Sequence, residues 1–344
     1  MLKRIYFFLA CLALLTMLVV ASCVPGESPT PTIPADTPEP EPPAWLRIYT
    51  DIDFNGPSLG LISGWRGVIM RSGDGGQNWS KVPVPLKTDL NSIAILDANT
   101  AIAVGSNGNI LRSTDSGNTW EKITSPTSET LNAVTAISGG GAVAVGWHGT
   151  IIATLDGGMT WSSSLSDDFH AINFEAVDFT EDGTGMTISS TGQVFKTSNA
   201  ADWQQLTLPD TDLKLYSVDL FDQYTAFVAG NIEADKAYRY GGKTVVLKTP
   251  SGGQNWEYGP RDWNADLLAI RFIDDQNALA SGWDGEVFRT DDGGLNWSAM
   301  TTNTRQALRS IAVVDTNTIF MVGDGQTIIR SQDSGYTWGE ISGS

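Results

Sequence analysis

Carboxylates are the side chains of this sequence that could do the most chemistry. The chain has 39 Asp and Glu residues against 21 Lys and Arg, which gives a formal net charge of −18. Two carboxylates that face one sugar could hydrolyse a glycosidic bond. Cleavage of a sialic acid would instead need several arginines that grip its carboxylate, together with a Tyr/Glu nucleophile pair, for which Tyr216 and Glu175 are candidates.

The same carboxylates do not form a metal-site pattern. The DGG and DSG segments look like the start of a calcium loop, but the ladder of alternating oxygen ligands and the distal Glu are missing. The two histidines, His148 and His170, form no metal-ligand or catalytic-triad pattern. A chain this acidic also lacks the basic stripe that nucleic acid requires. We therefore expect no metal, no cofactor and no nucleic-acid partner.

Many of the aspartates belong to a repeated turn. The pattern Ser/Thr-x-Asp-x-Gly-x-Thr/Asn-Trp, here called the Asp box, occurs in seven copies whose tryptophans are 41, 41, 42, 53, 41 and 41 residues apart. Its hydroxyl and carboxylate can accept backbone N–H groups, and its Trp can bury a ring against a sheet. We predict a structural role for the box residues, which are Asp74, Trp79, Asp115, Trp120, Asp156, Trp161, Trp203, Trp256, Asp292, Trp297, Asp333 and Trp338.

Each copy of the repeat also contains four short strand-like runs separated by turn residues. In the second copy they are Leu90–Leu96, Thr100–Val104, Asn109–Ser113 and Trp120–Thr124. Four strands in about 40 residues, repeated around a ring, are typical of a β-propeller. The sequence therefore predicts an all-β, seven-bladed propeller with four-stranded antiparallel blades over residues 45–344.

Two copies depart from the pattern. The fourth box lacks the Asp and one residue, and the fifth has Ser251 in place of the Asp, so we expect looser turns in those blades. The extra residues of the fifth copy are expected between its second and third strands, at Ile232–Gly242. This loop contains Tyr238, Arg239 and Tyr240 and is a candidate lid or contact arm.

The N-terminal segment predicts export and a lipid anchor. Lys3 and Arg4 precede an apolar run that ends in Val-Ala-Ser-Cys. Small residues before a cysteine at this place resemble a lipobox, which predicts a lipoprotein signal peptide at 1–22 and lipidation of Cys23. An ordinary signal peptide cleaved near Ala21 and a permanent transmembrane anchor are the alternatives.

Residues 23–44 predict a spacer between the lipid and the propeller. This segment is rich in proline and cannot form a core, so we expect a disordered, extended tether. The resulting protein is an exported, membrane-anchored lipoprotein at the extracytoplasmic face, in the periplasm or on the cell surface. We expect it to be a monomer.

In a four-stranded meander, the hairpins between second and third strands lie on one face of the disc with the blade-to-blade connections. We call this the second-hairpin face, and the opposite one the Asp-box face. Exposed tryptophans anchor protein interfaces or stack on sugars, although they can also fold back over a blade, and arginines can simply neutralise nearby aspartates. The candidate partner-binding residues of the second-hairpin face are Trp65, Arg66, Trp147, His148, Arg261, Trp263, Trp283, Arg305 and Arg309.

Alignment of the innermost strands places four charged side chains at one level of a central channel. They are Asp53, Asp178, Asp219 and Arg271. They could bind a cation or the tail of a ligand, or they could line a solvated pore.

The repeats resemble the BNR-type repeats of sialidases, sortilin-like receptors and the photosystem II stability and assembly factor family. The sequence from Gly105 to Trp120 and the lipoprotein-like leader are most similar to cyanobacterial members of the last family. That resemblance implies a non-catalytic factor that binds an exported or membrane-associated protein, as family members bind a new photosystem II reaction-centre subunit. It also implies the thylakoid lumen if the source is photosynthetic. A carbohydrate-binding propeller and a glycoside hydrolase or sialidase-like enzyme remain alternatives.

Overall fold

Seven four-stranded antiparallel sheets follow one another along the chain, each built from four consecutive strands. The structure, a computed structural model, describes residue 43 and residues 47–163, 169–232, 243–259 and 265–341. The sheets are the blades of the predicted propeller, which is confirmed. Cys23, Arg261, Trp263 and the loop residues Tyr238, Arg239 and Tyr240 lie outside the described residues.

Within each blade the four strands follow in chain order, from the innermost strand at the central channel to the outermost strand at the edge of the disc. Blade one contains β1 Tyr49–Asn55, β2 Leu59–Gly64, β3 Val68–Ser72 and β4 Ser80–Val82, and blade two contains β5 Leu90–Ile95, β6 Ala101–Gly105, β7 Ile110–Ser113 and β8 Glu121–Ile123. Blade three contains β9 Leu131–Ile137, β10 Gly141–Gly146, β11 Ile151–Thr154 and β12 Ser162–Ser163, and blade four contains β13 Phe174–Phe179, β14 Gly185–Ser189, β15 Val194–Thr197 and β16 Gln204–Leu206. Blade five contains β17 Leu213–Leu220, β18 Ala226–Ile232, β19 Lys243–Thr249 and β20 Glu257–Tyr258. Blade six contains β21 Leu267–Phe272, β22 Ala278–Gly282, β23 Val287–Thr290 and β24 Ser298–Met300, and blade seven contains β25 Leu308–Val313, β26 Ile319–Gly323, β27 Ile328–Ser331 and β28 Gly339–Glu340.

Burial explains the composition of these strands. The second strands, such as β6 and β10, are buried along their whole length and consist of Ala, Val, Ile and Gly, because blades cover both of their faces. The outermost strands, such as β12 and β28, are two exposed residues long. Such short edges offer little backbone for pairing with another chain.

The Asp box forms the predicted turn. In blade two, Gly117 N donates to Ser113 Oγ at 2.9 Å and Thr119 N donates to Asp115 Oδ1 at 2.8 Å. The Trp120 indole N–H donates to Gly117 O at 3.1 Å, which fixes the ring inside the turn. A Cβ on Gly117, at φ +79°, would lie 2.5 Å from Leu61 Cδ2 of the preceding blade, so the turn also packs across the blade boundary.

Blades four and five keep the turn with other acceptors in place of the carboxylate. Asn199 and Ser251 take the place of the missing carboxylates and accept backbone N–H groups, from Asp202 at 2.9 Å and from Asn255 at 2.9 Å. The indole N–H groups of Trp203 and Trp256 are buried and have no hydrogen-bond partner among the described residues. These turns therefore hold their tryptophans less firmly than the box of blade two does.

The ring closes without exchanging a strand. All four strands of blade seven come from the C-terminal end of the chain, and β1 of blade one packs against them. Ile48 forms an isolated antiparallel bridge with Asp324, and Gln326 N donates to Arg47 O at 3.1 Å. The described residues from 47 to 341 belong to one compact unit. Within the described ranges no helix is long and apolar enough to cross a membrane.

We expect Trp120 and Trp203 to differ in their contribution to stability. Replacing Trp120 by Ala removes a buried ring and its hydrogen bond and should lower the free energy of unfolding by about 3–5 kcal/mol. Trp203→Ala should cost less, because that ring is half-buried and its N–H is unpaired among the described residues. Denaturant unfolding of both variants measures the difference, and equal losses would contradict this explanation.

Candidate binding face at the channel mouth

The hairpin tips of the second-hairpin face are held rigidly against the connections between blades. Trp147 N donates to Thr130 O at 2.9 Å, and Trp283 N donates to Asp266 O at 3.2 Å. The residue after each of these tryptophans, His148 or Asp284, has a positive φ and is followed by a glycine that also has one. Two consecutive left-handed residues close the tip tightly, so the aromatic side chains sit on a fixed backbone.

The tryptophans of this face are exposed to different degrees. Trp147 is 45% exposed and Trp283 is 37% exposed, whereas Trp65 is half-buried. Large exposed rings on rigid backbone lose little conformational freedom when a partner covers them. Trp147 and Trp283 are therefore better anchors for a partner than Trp65.

Trp283 and Arg309 lie together at the boundary of blades six and seven. The Arg309 guanidinium lies 5.3 Å from the centroid of the Trp283 ring. Its Nε donates to Asp324 Oδ1 at 2.5 Å and its Nη2 to Asp324 Oδ2 at 3.2 Å. Arg309 is thus paired and stacked, and its position is fixed.

The other predicted basic residues are spread around the face. Arg66 is exposed on the tip of blade one, and Arg305 is exposed on the connection before blade seven. His148 Nδ1 lies 2.7 Å from Glu129 Oε2. The structure therefore brings one predicted Trp–Arg pair together and distributes the remaining residues over separate blades.

The first inward-facing residues of the innermost strands form a ring at the channel mouth. In blades one to three they are Thr50, Asn91 and Asn132, and each donates to a carbonyl of the next blade at 2.8 Å. In blades four to seven the corresponding residues are Glu175, Tyr216, Leu268 and Arg309, and all seven line a cavity of about 600 Å³. Three of the seven positions thus join blades, and the other four present an acid, a phenol, an apolar chain and a cation.

Deeper in the channel, the predicted carboxylates connect neighbouring blades. Asp53, Asp178 and Asp219 accept backbone N–H groups of the next innermost strand at 2.7, 2.8 and 2.6 Å. One level nearer the mouth, Asp51, Ser92, Ser217 and Ser310 do the same at 3.0, 3.1, 3.1 and 3.4 Å. These side chains satisfy strand edges that no other strand covers. The sequence pattern alone did not reveal this role.

Arg271 is the only one of the four predicted channel residues that carries a positive charge. Its Nη1 donates to Asp219 Oδ1 at 2.7 Å and lies 3.9 Å from Asp178 Oδ1. Burial, followed by the charge of Asp219, raises the pKa of Asp178 to about 7, and burial raises the pKa of Asp53 to about 6. Burial also raises the pKa of Asp219, which is 4% exposed, and the Asp219 carboxylate raises the pKa of Arg271.

A second set of connecting residues was missed. A basic residue stands eight positions before the Trp of most boxes, and seven before Trp203, and this recurrence could have revealed it. The side chains of Arg71, Arg112, Lys196, Lys248 and Arg289 donate to a carbonyl in the box of the next blade at 2.7, 2.6, 3.2, 2.7 and 2.8 Å. Much of the scarce positive charge therefore holds the ring together.

The Asp-box face carries exposed apolar side chains of its own. Leu155, Met159 and Leu295 are examples, and Leu155 is 80% exposed. Leu155 and Met159 lie in the box of blade three, and Leu295 lies in that of blade six. No group of three or more His, Cys, Asp or Glu side chains within the described ranges is arranged to hold a metal ion.

Comparison with known proteins agrees with the repeat pattern. The family model of the photosynthesis system II assembly factor YCF48 matches residues 45–207, which contain the first four blades. The resemblance to this family is confirmed. Among curated protein sequences, none matches the chain.

Solved structures of YCF48 have the same fold. One, YCF48 bound to a D1 peptide, is 20% identical with a TM-score of 0.69, over 83% of this chain and 92% of that one. YCF48 from Cyanidioschyzon merolae is 20% identical with a TM-score of 0.67, over 85% and 97%. A GH74 xyloglucanase from Xanthomonas campestris is 15% identical with a TM-score of 0.69, over 87% of this chain but 55% of the enzyme. At these identities the likeness concerns the fold.

The buried channel acids predict that stability falls as the pH rises. Asp53 and Asp178 have folded-state pKa values of about 6 and about 7, above the ordinary 3.8. Between the ordinary and the raised pKa, the folded protein therefore binds more protons than the unfolded chain does. Their contribution is most favourable below about pH 4 and is lost as the pH rises through 6 and 7. We expect the Tm to be about 2–6 °C lower at pH 8 than at pH 5.

Substitution of one channel acid tests the origin of this difference. Asp178→Asn keeps an acceptor for Leu220 N but no longer titrates, so the Tm difference between pH 5 and pH 8 should shrink. Asp156→Asn is the matched control, because hydrogen bonds from Thr160 lower the pKa of this box acid to about 2, outside the tested range. An unchanged difference in Asp178→Asn would contradict the assignment to the channel.

Proposed function

We propose that this protein is a non-catalytic, membrane-tethered binding factor that recognises a protein partner with its second-hairpin face. The observation that carries the proposal is the pair of exposed tryptophans, Trp147 and Trp283, on rigid hairpin tips of this face. Aromatic anchors of this kind dominate the binding energy of protein interfaces. The fixed Arg309–Asp324 pair beside Trp283 adds a polar contact of defined geometry.

The partner is an exported or membrane-associated protein that presents an extended segment to the channel mouth. A solved relative, YCF48, is bound to a D1 peptide, and the family resemblance supports peptide recognition here as well. The mouth of blades four to seven offers Glu175, Tyr216, Leu268 and Arg309 to such a segment. This mixture of charge, hydrogen bonding and apolar surface suits a peptide better than a single repeated sugar.

The chain around this domain is assigned as the sequence predicts. Residues 1–22 are the signal peptide, 23–44 the lipidated tether and 45–344 the propeller, which acts as a monomer on the extracytoplasmic side of a membrane, or in the thylakoid lumen of a photosynthetic source. The lipid on Cys23 keeps the propeller near membrane partners, while the acidic domain is repelled by anionic headgroups.

A glycoside hydrolase is the second candidate, because the GH74 xyloglucanase shares the fold. Hydrolysis would require two carboxylates that are available to a sugar and its leaving group. In the channel, Asp53, Asp178 and Asp219 instead accept backbone N–H groups of the next blade. Their use in holding the ring supports the non-catalytic proposal.

Removal of the tryptophan rim tests the binding face. We expect Trp65, Trp147 and Trp283 replaced together by Ala to weaken partner binding at least about tenfold, since buried aromatic anchors each contribute on the order of 2 kcal/mol. The measurement is recovery of partners from detergent-solubilised membranes of the source cells on the immobilised propeller, followed by titration of the main partner.

The opposite face supplies the control. Leu155, Met159 and Leu295 replaced together by Ala remove a comparable exposed apolar area from the Asp-box face and should leave recovery unchanged. If this control loses the partner and the tryptophan variant keeps it, the Asp-box face is the binding surface. Binding to a glycan array that disappears in the tryptophan variant would favour a carbohydrate ligand, and turnover of chromogenic glycosides would favour the enzyme.

Lipidation is tested at the two cysteines of the leader region. Metabolic labelling with a radioactive fatty acid should mark the unchanged protein and leave Cys23→Ser unlabelled, because the predicted acylated residue is lost. Cys11→Ser lies within the predicted signal peptide and should be labelled as the unchanged protein is. A Cys23→Ser protein that still takes up the label would contradict lipidation at this cysteine.

A further inference from the structure

Three kinds of hydrogen bond cross from one blade to the next on the channel side and the Asp-box side of the ring. Two come from the innermost strand, at the level of Asp51 and at the level of Asp53. The third comes from the basic residue of the third strand, such as Arg71, whose Nε donates to Ser116 O at 2.7 Å. At the boundary of blades one and two all three are present.

The boundary between blades three and four differs from the other six. Its residues at these three positions are Ala133, Thr135 and Ala153, and none of the three bonds forms among the described residues. Each other boundary keeps at least one of them. The side chains that keep it there are Asp51, Ser92, Asp178, Ser217, Arg289 and Ser310.

In blade three, Ala153 stands where most blades have an Arg or Lys that donates to the box of the next blade. The box that would accept this hydrogen bond, that of blade four, is also the one that departs most from the pattern. The box of blade four is Asn199–Trp203 and has neither the Asp nor the glycine, and the Trp203 indole N–H has no partner among the described residues. Ala153, Ala200 and Trp203 instead pack against an apolar cluster that blades three and four share. Apolar contacts are not directional, so they resist a small rotation of one blade against another less than hydrogen bonds do.

On the second-hairpin face, in contrast, hydrogen bonds join the same two blades. Asn132 Nδ2 donates to Phe174 O at 2.8 Å, and His148 N donates to Asn173 Oδ1 at 3.1 Å. Gly149 N donates to Ile172 O at 2.6 Å. All of these bonds join blade three to the first residues of blade four or the connection just before it, close to the channel mouth.

We propose that the ring opens at the boundary of blades three and four. The bonds on the second-hairpin face act as the hinge, and the Asp-box side of the boundary parts. Opening widens the far end of the channel while the aromatic rim keeps its arrangement. This device does not depend on the identity of the partner, since it follows from the distribution of hydrogen bonds alone.

Hydrogen exchange of the whole protein, read by mass spectrometry, tests the hinge. Peptides that cover β13 and the turn Asn199–Leu206 should exchange faster than the corresponding peptides of blade two, which cover β5 and the turn Asp115–Ile123. Equal protection of the two sets would overturn the proposal.

Restoring the missing bonds provides the second measurement. Ala133→Ser supplies an acceptor for Val177 N, as Ser92 does for Val134 N at 3.1 Å, and Ala153→Arg supplies the missing cation. Each should slow exchange at this boundary about fivefold, the effect expected of one added hydrogen bond. Ala269→Ser, at the boundary of blades six and seven where Arg289 already donates, is the matched control and should leave the boundary of blades three and four unchanged.

The distribution of the effect decides between a hinge and general stabilisation. Slower exchange confined to blades three and four supports the hinge. Equal slowing in every blade, or no slowing in either variant while circular dichroism shows an intact fold, would overturn it. Partner binding is not part of this measurement, so its result is independent of the tryptophan-rim experiment.

Discussion

The structure depends on a constraint that each blade imposes on its neighbour. The innermost strand of every sheet has one edge paired within the blade and one edge facing the channel, where its N–H groups meet no other strand. Unpaired backbone groups are costly unless water or a side chain satisfies them. Asp53, Asp178 and Asp219 do so for the following blade, so the bonds that satisfy a strand edge are also the bonds that join sheets.

This arrangement gives many of the charged side chains a structural role. Acidic residues are concentrated where backbone N–H groups need acceptors, in the Asp-box turns and in the channel. Basic residues are scarce, and several of them, such as Arg112 and Arg289, donate to the next blade. Little charge is therefore left for recognition, and the side chains that stand out on the second-hairpin face are aromatic.

The parts of the fold that depend on nearby residues could be predicted. The Asp box specifies its own turn, since donor and acceptor lie within four residues of each other, as in Asp115 and Thr119. Strand number, ring size and the two faces follow from counting such turns. The position of the fifth-blade insertion was also predictable, because β18 ends at Ile232 and β19 begins at Lys243.

The contacts between blades could not be predicted in the same way. Asp53 and Ile95, or Asp178 and Leu220, are 42 residues apart, and no local pattern marks a carboxylate that will meet a backbone N–H of the next repeat. The stacking of Arg309 of blade seven on the Trp283 ring of blade six joins two blades in a similar manner. Only an alignment of all seven copies, position by position, contains a trace of these contacts, as the basic residue that recurs before most boxes illustrates.

The place where the chain enters the ring has a practical consequence. Arg47 and Ile48 bond to Gln326 and Asp324, so the polypeptide joins the propeller beside Trp283 and Arg309 at the rim of the second-hairpin face. The last described strand, β28, is the outermost strand of blade seven. A label or surface linkage placed near residue 47 would crowd the rim, whereas one attached beyond residue 341 would follow the outer edge of the disc. For any sensor or affinity matrix made from this domain, the C-terminal side is the end to immobilise.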